Sequence, residues 1–145
     1  MIACTFFGHR DSPDGLKQRI KDAIIALIEE QGVDTFYVGN NGNFDSMAIS
    51  ALSEIRNDRP YVDFTVVLAY LPKNGEHSAY NTLYPEGLEL VPKRFAISKR
   101  NEWMIRRSVF IIAYVSRSGG NSSHFVKMAK RMGKTIYNLA DASKV

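Results

Sequence analysis

One stretch of the chain combines an arginine with a turn of small residues, and both suit a phosphate-bearing ligand. Arg100 and Asn101 lie on a predicted helix, an apolar run follows at residues 109–115, and the next turn contains Ser118, Gly119, Gly120, Asn121 and Ser122. Glycines allow a ligand to approach the backbone closely, and the amides that open a helix attract anions. The guanidinium group of an arginine can donate two parallel hydrogen bonds to two oxygens of one phosphate. We therefore predict that these residues bind a phosphate; an ordinary strand-to-helix turn is the alternative for the glycine pair.

A second polar turn, at residues 39–45, suits the sugar and base of the same ligand. It contains Gly39, Asn40, Asn41 and Gly42, which supply uncharged donors and acceptors for ribose or base edges. Asp45 is the carboxylate that we place against a ribose hydroxyl. Capping of its own helix is the alternative role for Asp45.

The remaining candidates lie in other loops that follow predicted strands. Gly8, His9 and Arg10 follow the first strand, and Tyr70 ends the third. His9 either donates to a phosphate or satisfies loop carbonyls, and Arg10 has a similar pair of alternatives. Arg94 is a second candidate phosphate clamp, with a solvated surface arginine as its alternative.

Catalytic and metal chemistry have fewer candidates. The carboxylates that could act as general acid or base are Asp45 and Glu86, with Asp11 as a third to test. Cys4 lies within a predicted strand without an activating base, and the three histidines lack the spacing of metal ligands. We expect no metal and no cofactor other than the nucleotide-type ligand itself.

Alternating apolar segments predict the elements that position these residues. Strands are predicted at residues 2–7, 35–38, 64–71, 109–115 and 135–139, with helices between them, including one at residues 98–107 that Ser98 caps. This alternation predicts a single α/β domain over residues 1–145, with a Rossmann-like, doubly wound, mostly parallel sheet of about five strands and helices on both faces. Ligands of such sheets bind beyond the carboxyl ends of the strands, where the candidate loops lie. The irregular residues 72–97 are either a lid over that ligand or a decorative insertion.

Composition narrows the class of partner. The chain has 145 residues, 45% of them hydrophobic, a formal net charge of +4 and a single cysteine. Basic residues are interleaved with acidic ones, which favours an anionic small molecule, and we do not expect nucleic acid as a partner. We also expect a soluble cytoplasmic protein that does not contact a membrane, because no basic leader and no apolar run of about 20 residues is present.

Several motifs together resemble a known superfamily. The segments 5–10 (TFFGHR), 36–39 (FYVG), 84–89 (YPEGLE) and 100–104 (RNEWM), with the Gly119–Gly120 pair, resemble the short stand-alone SLOG proteins, named for the Smf/DprA and LONELY GUY proteins. The resemblance runs nearly end to end. It implies a Rossmann-like fold and a pocket for nucleotides or nucleotide-derived ligands, and with the apolar helix positions it implies a homodimer or higher homo-oligomer.

The departures from the LONELY GUY enzymes shape our interpretation. Those enzymes release ribose phosphate from nucleoside monophosphates, and they carry an arginine on a helix followed by Pro-Gly-Gly-x-Gly-Thr-x-x-Glu. Arg100, Met104 and the two glycines resemble that pattern. Ser118, Ser122 and Ser123 replace its proline, glycine and threonine, and Val126 replaces the glutamate.

Because a valine performs no acid-base chemistry, we interpret the chain as a protein that binds or senses a nucleotide-derived ligand. The alternative is an N-glycosidase, phosphoribohydrolase or nucleoside-transferring enzyme in which Asp45 or Glu86 supplies the carboxylate. A subunit that binds DNA or protein through its basic surface is a third class, for which no motif is present.

Overall fold

The computed structural model describes the backbone of residues 1–72 and 80–144, and side chains up to residue 141 outside that gap. The strands are β1 (Ala3–Gly8), β2 (Thr35–Val38), β3 (Asp63–Val67), β4 (Thr82–Leu83), β5 (Phe110–Tyr114) and β6 (Thr135–Asn138). The α-helices are α1 (Lys17–Gln31), α2 (Asn43–Asp58), α3 (Ala96–Arg107) and α4 (Gly120–Arg131). Short 3-10 turns cover Asp14–Leu16, Leu88–Leu90, Lys93–Phe95 and Leu139–Lys144.

All six strands form one parallel sheet in the order β4-β3-β2-β1-β5-β6. The predicted Rossmann-like parallel sheet is therefore confirmed, with six strands in place of about five. The additional strand is β4, a two-residue segment that pairs with Val66 and Val67 inside the region predicted to be irregular. Two residues are too few to show a period of alternation, so the sequence offered no signal for it.

Helices cover both faces of the sheet, as predicted. Apolar residues of α1 and α2 pack on one face, and Met104, Ile105, Phe125, Val126 and Ala129 from α3 and α4 pack on the other. Several predicted strand boundaries differ by one residue, and two predicted boundaries differ by more. Strand β3 ends at Val67, and α3 begins at Ala96 without a side-chain cap, so Ser98 lies inside the helix and does not cap it.

The connections between strands run in opposite directions on the two sides of the β1–β5 pair, and this reversal positions the site. β1 continues through α1 toward β2 on one side, while β5 continues through α4 toward β6 on the other. The last residues of the two strands, Gly8 and Tyr114, are paired in register. The loops after these strands therefore diverge to opposite faces and leave a crevice between them. No helix in the described part of the chain is long and apolar enough to cross a membrane.

Gly8 is required at this position because α2 packs directly against it. A Cβ atom there would lie 2.5 Å from Cδ2 and 2.6 Å from Cδ1 of Phe44, whose side chain is 1% exposed. We expect Gly8→Ala to lower the free energy of unfolding by about 1–3 kcal/mol through overpacking. Urea unfolding measures this, with Gly15→Ala as the control because a Cβ at Gly15 meets nothing within 4 Å. Equal stability of the two variants would contradict this packing.

Candidate functional site

A cavity of about 640 Å³ opens at the crevice between β1 and β5. This volume lies in the range of small-molecule sites, and its position is the one at which doubly wound sheets bind ligands. The predicted site residues that line the cavity are Gly8, His9, Arg10, Asn41, Asp45, Arg100, Asn101, Ser118, Gly119, Gly120, Asn121 and Ser122.

One end of the cavity is formed by the start of α4. Gly119 and Gly120 have φ angles of 87° and 81°, which L-residues rarely adopt, and no side chain caps the helix. The hydroxyl of Ser122 donates a hydrogen bond of 2.6 Å to the carbonyl oxygen of Gly8, which holds the helix start against the end of β1. The first amides of α4 line the cavity and have no acceptor among the described residues, as an anion site requires.

Two arginines line the cavity: Arg10, whose Cα and Cβ lie beside Gly42 in the turn after β2, and Arg117, in the loop before α4. Within the described residues, the Arg10 guanidinium has no hydrogen-bond or ion-pair partner. Arg117 forms an ion pair of 2.8 Å with Asp11, and hydrogen bonding to Arg117 lowers the pKa of Asp11. Both side chains of that pair are exposed, so water screens it and a ligand phosphate can compete for Arg117.

His9 is held as a neutral part of the loop. Its side chain is buried, and Nε2 accepts a hydrogen bond of 3.1 Å from the backbone N–H of Ser116. Burial, together with repulsion from Arg117, lowers the pKa of His9. Because Nε2 accepts from Ser116, in the loop after β5, the proton of the neutral ring lies on Nδ1, which is the ring nitrogen left to donate to a ligand. The contact of His9 with a phosphate stays a prediction.

Arg100 is almost fully occupied by protein oxygens. It is 2% exposed, and its Nη1 donates to the carbonyl oxygen of Val67 at 2.9 Å and to Oδ1 of Asn40 at 3.5 Å. Its Nη2 donates to Oδ1 of Asn41, and its Nε donates to Oδ1 of Asn101, both at 2.8 Å. An arginine has five N–H groups, so these four contacts leave one for a phosphate. The main role of Arg100 here is to join the end of β3, the turn after β2 and α3.

Asp45 lies beside Arg100 at the cavity wall. Its Oδ2 accepts a hydrogen bond of 3.0 Å from the backbone N–H of Asn41, so it stabilises the turn that opens α2 while also lining the cavity. Burial raises the pKa of Asp45 to about 6, against the opposing effects of the Asn41 amide and the Arg100 charge. Gly39 leaves room for both side chains, because a Cβ there would lie 2.9 Å from Asp45 Oδ2 and 3.0 Å from Arg100 Nη1.

The other predicted residues lie outside the cavity lining. Gly39, Asn40 and Gly42 support the turn behind it. The hydroxyl of Tyr70 donates to the carbonyl oxygen of Lys93 at 3.0 Å, and the Arg94 guanidinium lies 4.8 Å from the ring centre of Phe95. Glu86 does not line the cavity either. The segment predicted to be a lid or an insertion spans residues 72–97, of which residues 73–79 lie outside the described part of the chain. Among its described residues, Ile97 lines the cavity.

Sequence reasoning missed the apolar wall and the role of Arg117, and it considered Asp11 as an acid or base but not as the ion-pair partner of Arg117. The wall contains Phe6, Phe7, Ile97, Met104 and Phe125, and the pair is Asp11 with Arg117. A usable signal was the spacing of residues 97, 100, 101 and 104, which places them on one face of a helix. Val126, at the position of the LONELY GUY glutamate, is buried in the apolar cluster of α3 and α4 and does not line this cavity.

The fold and this crevice define a Rossmann-like α/β domain with a ligand-sized cavity at the switch point of its sheet. Two solved structures are similar to it. DNA processing protein A (DprA) from Streptococcus pneumoniae matches with a TM-score of 0.69 and 14% identity, over 95% of this chain and 50% of that one. DprA from Helicobacter pylori matches with a TM-score of 0.63 and 16% identity, over 93% of this chain and 63% of that one.

These matches confirm the predicted Rossmann-like fold, which is the fold of the two DprA proteins. The chain spans 50% and 63% of the lengths of the two DprA proteins. No protein-family model matches the sequence, and none of the curated proteins does.

One expectation is wrong. We expected nucleic acid not to be a partner because basic and acidic residues alternate along the chain. The H. pylori protein, which shares this fold, is described by its single-stranded DNA binding mode. The reasoning failed because alternation in sequence does not fix where charges lie on the surface: Arg10 and Arg117 are far apart in the chain, yet both line one cavity.

Proposed function

We propose that the cavity binds a nucleotide or nucleotide-derived ligand. The observation that carries this proposal is the uncapped start of α4, which opens on a 640 Å³ cavity at the sheet's switch point. In this proposal the phosphate lies against the amides that follow Gly119, where the helix dipole favours an anion. Arg10 is its second contact, because its guanidinium has no partner among the described residues and the residue lines the same cavity. The base packs on the apolar wall that includes Phe125 and Met104.

The distribution of charge sets the direction in which the ligand lies. Asp45 carries most of a negative charge at pH 7, since its pKa is about 6. A phosphate beside Asp45 would be repelled, whereas a ribose hydroxyl or a base N–H can donate to it. The phosphate is thus directed to α4 and the nucleoside toward Asp45 and α3.

Single-stranded DNA is a second candidate ligand. Its repeating unit has the same phosphate, sugar and base, and a protein of this fold from H. pylori has a single-stranded DNA binding mode. Arg117 is 58% exposed at the cavity mouth, where a continuing strand would pass. An oligothymidylate that binds more tightly than the mononucleotide TMP would favour this candidate.

Cleavage of the ligand is the enzymatic alternative, and Asp45 is the residue that favours it. A carboxyl with a pKa of about 6 in a ligand cavity is suited to proton transfer. Glu86 does not share this position. Chromatography of AMP, GMP, CMP and UMP after prolonged incubation tests the idea: released base that disappears in Asp45→Asn supports it, and intact nucleotides contradict it.

Removal of the Arg10 charge tests the proposed binding. We expect Arg10→Ala to weaken binding of the tightest of AMP, GMP, CMP and UMP about fivefold, as expected for loss of one charge-assisted hydrogen bond of about 1 kcal/mol. Isothermal titration calorimetry measures the dissociation constants. Arg131→Ala is the control because it removes the same charge at the far end of α4, where Arg131 is exposed. No binding by the unaltered protein, or equal weakening by both variants, would contradict the proposal.

The homo-oligomeric state and the cytoplasmic location stay predictions. Exposed apolar side chains occur, and Leu90 is 84% and Leu71 66% exposed. Light scattering after size-exclusion chromatography gives the molar mass directly: twice 16.3 kDa or more supports the assembly, and 16.3 kDa contradicts it.

A further inference from the structure

The side-chain amides of Asn41 and Asn101 are oriented by Arg100. Each contributes Oδ1 as the acceptor of a 2.8 Å hydrogen bond from the guanidinium. An arginine has donors and no acceptor, so the oxygen of each amide must face it. The NH₂ group of each amide therefore points away from Arg100. Both asparagines line the cavity, and in the described part of the chain neither Nδ2 atom has a protein acceptor.

Asn101 is the more constrained of these two donors. Its side chain is 7% exposed, and it lies on the face of α3 that borders the cavity. The residues one turn before and one turn after it on this face are Ile97 and Met104, both apolar and both part of the cavity wall. A donor that reaches the cavity between apolar side chains is well suited to a flat ring that carries an acceptor, and poorly suited to a hydrated phosphate.

We infer that Asn101 is a specificity-determining residue that donates a hydrogen bond to an acceptor on a nucleobase, either a carbonyl oxygen or a ring nitrogen. Arg100 is a positioning residue that holds this donor outward and does not clamp the phosphate. The inference rests on the proposed function, because it assigns the part of the same cavity that reads the base. Asn41 presents a second donor of the same kind beside Asp45.

The chemistry predicts discrimination among ligands that share a ribose phosphate. A base with an acceptor on the edge that faces α3 gains a hydrogen bond from the Asn101 amide. A base with a donor on that edge places its N–H against the N–H of Asn101, and neither donor then has an acceptor. Ribose 5-phosphate has no base and is insensitive to Asn101. The ratio of the two affinities therefore isolates the contact with the base.

The test replaces the donor while keeping the bond to Arg100. In Asn101→Asp, one carboxylate oxygen still accepts from Nε of Arg100, and the NH₂ donor becomes a second acceptor. Asn40→Asp is the matched control, because it adds the same negative charge to another asparagine that accepts a hydrogen bond from Arg100. Asn40 is exposed and does not line the cavity. Asn41→Asp serves as the second variant if Asn101→Asp does not fold.

Calorimetry with AMP, GMP, CMP, UMP and ribose 5-phosphate gives the result. We expect Asn101→Asp to lower the affinity ratio of the preferred nucleotide to ribose 5-phosphate about tenfold, while Asn40→Asp leaves this ratio unchanged. Arg100→Lys, which keeps the charge but cannot hold both amides, should lower the same ratio and leave ribose 5-phosphate binding within about twofold.

Two outcomes separate the inference from the proposed function. If the unaltered protein binds nucleotides and the ratio is the same in Asn101→Asp and Asn40→Asp, the base contact is wrong while nucleotide binding stands. If the unaltered protein binds none of the five compounds, the proposed function and this inference are both overturned.

Discussion

Replacement of Arg100 by Met is expected to lower the free energy of unfolding by about 3 kcal/mol or more, because buried polar groups lose their hydrogen-bond partners. Arg100 is 2% exposed and joins three elements through Val67, Asn41 and Asn101. The Met side chain is long and unbranched like that of Arg but has no hydrogen-bond donor. Asp45 also loses the nearby positive charge that favours its ionised form.

Urea unfolding at pH 7 measures this effect, and Arg106→Met is the control on the same helix because Arg106 is exposed. A second comparison isolates the coupling to Asp45. Arg100→Met should cost less in an Asp45→Asn background, since no charge is then left without its partner. A loss below about 1 kcal/mol for Arg100→Met, similar to that of surface substitutions, would contradict the assigned role.

The second large effect is a pH dependence that Asp45 imposes on stability. Its pKa is raised from 3.8 to about 6 in the folded protein, chiefly by burial. Between these two values the folded protein holds a proton that the unfolded chain has released, so protonation favours folding. The stabilising contribution is complete below about pH 4 and is lost as the pH rises through 6, for a total of about 3 kcal/mol.

Asp45→Asn removes this dependence and keeps an oxygen that accepts from the Asn41 amide. We expect the free energy of unfolding of Asp45→Asn, minus that of the unaltered protein, to rise by up to about 3 kcal/mol between pH 4 and pH 7. Other ionisable groups contribute equally to both proteins and cancel in the difference. Parallel stability curves over this interval would show that Asp45 titrates normally.

The arrangement of strands and helices could largely be predicted from the sequence, because five strands are apolar runs rich in β-branched and aromatic residues and the helices between them have a helical period. Strand β4 could not be predicted, because its two residues, Thr82 and Leu83, are too few to form a recognisable strand pattern. The polar half of the cavity was also predictable: the turns at residues 39–45 and 118–122 have compositions typical of ligand loops. The apolar half was not, because in a sequence Phe125 and Met104 are indistinguishable from core residues.

Arg100 shows the limit most clearly. Its side-chain chemistry and its place before the glycine pair favour a phosphate clamp. Its partners on β3 and after β2 depend on which strands are neighbours, and the strand order is not encoded in any local pattern. Only with the sheet assembled does the guanidinium meet Val67, Asn41 and Asn101, and its donors are then nearly exhausted.

Backbone amide shifts in a ¹H–¹⁵N NMR titration with AMP, followed by one with inorganic phosphate, test the central claim most directly. We predict that phosphate shifts the amides of Gly119, Gly120, Asn121 and Ser122, and that AMP shifts these together with the amides of Asn41, Asn101 and Met104. Saturable shifts confined to residues outside the cavity, or none with either compound, would contradict the claim that this crevice binds a nucleotide.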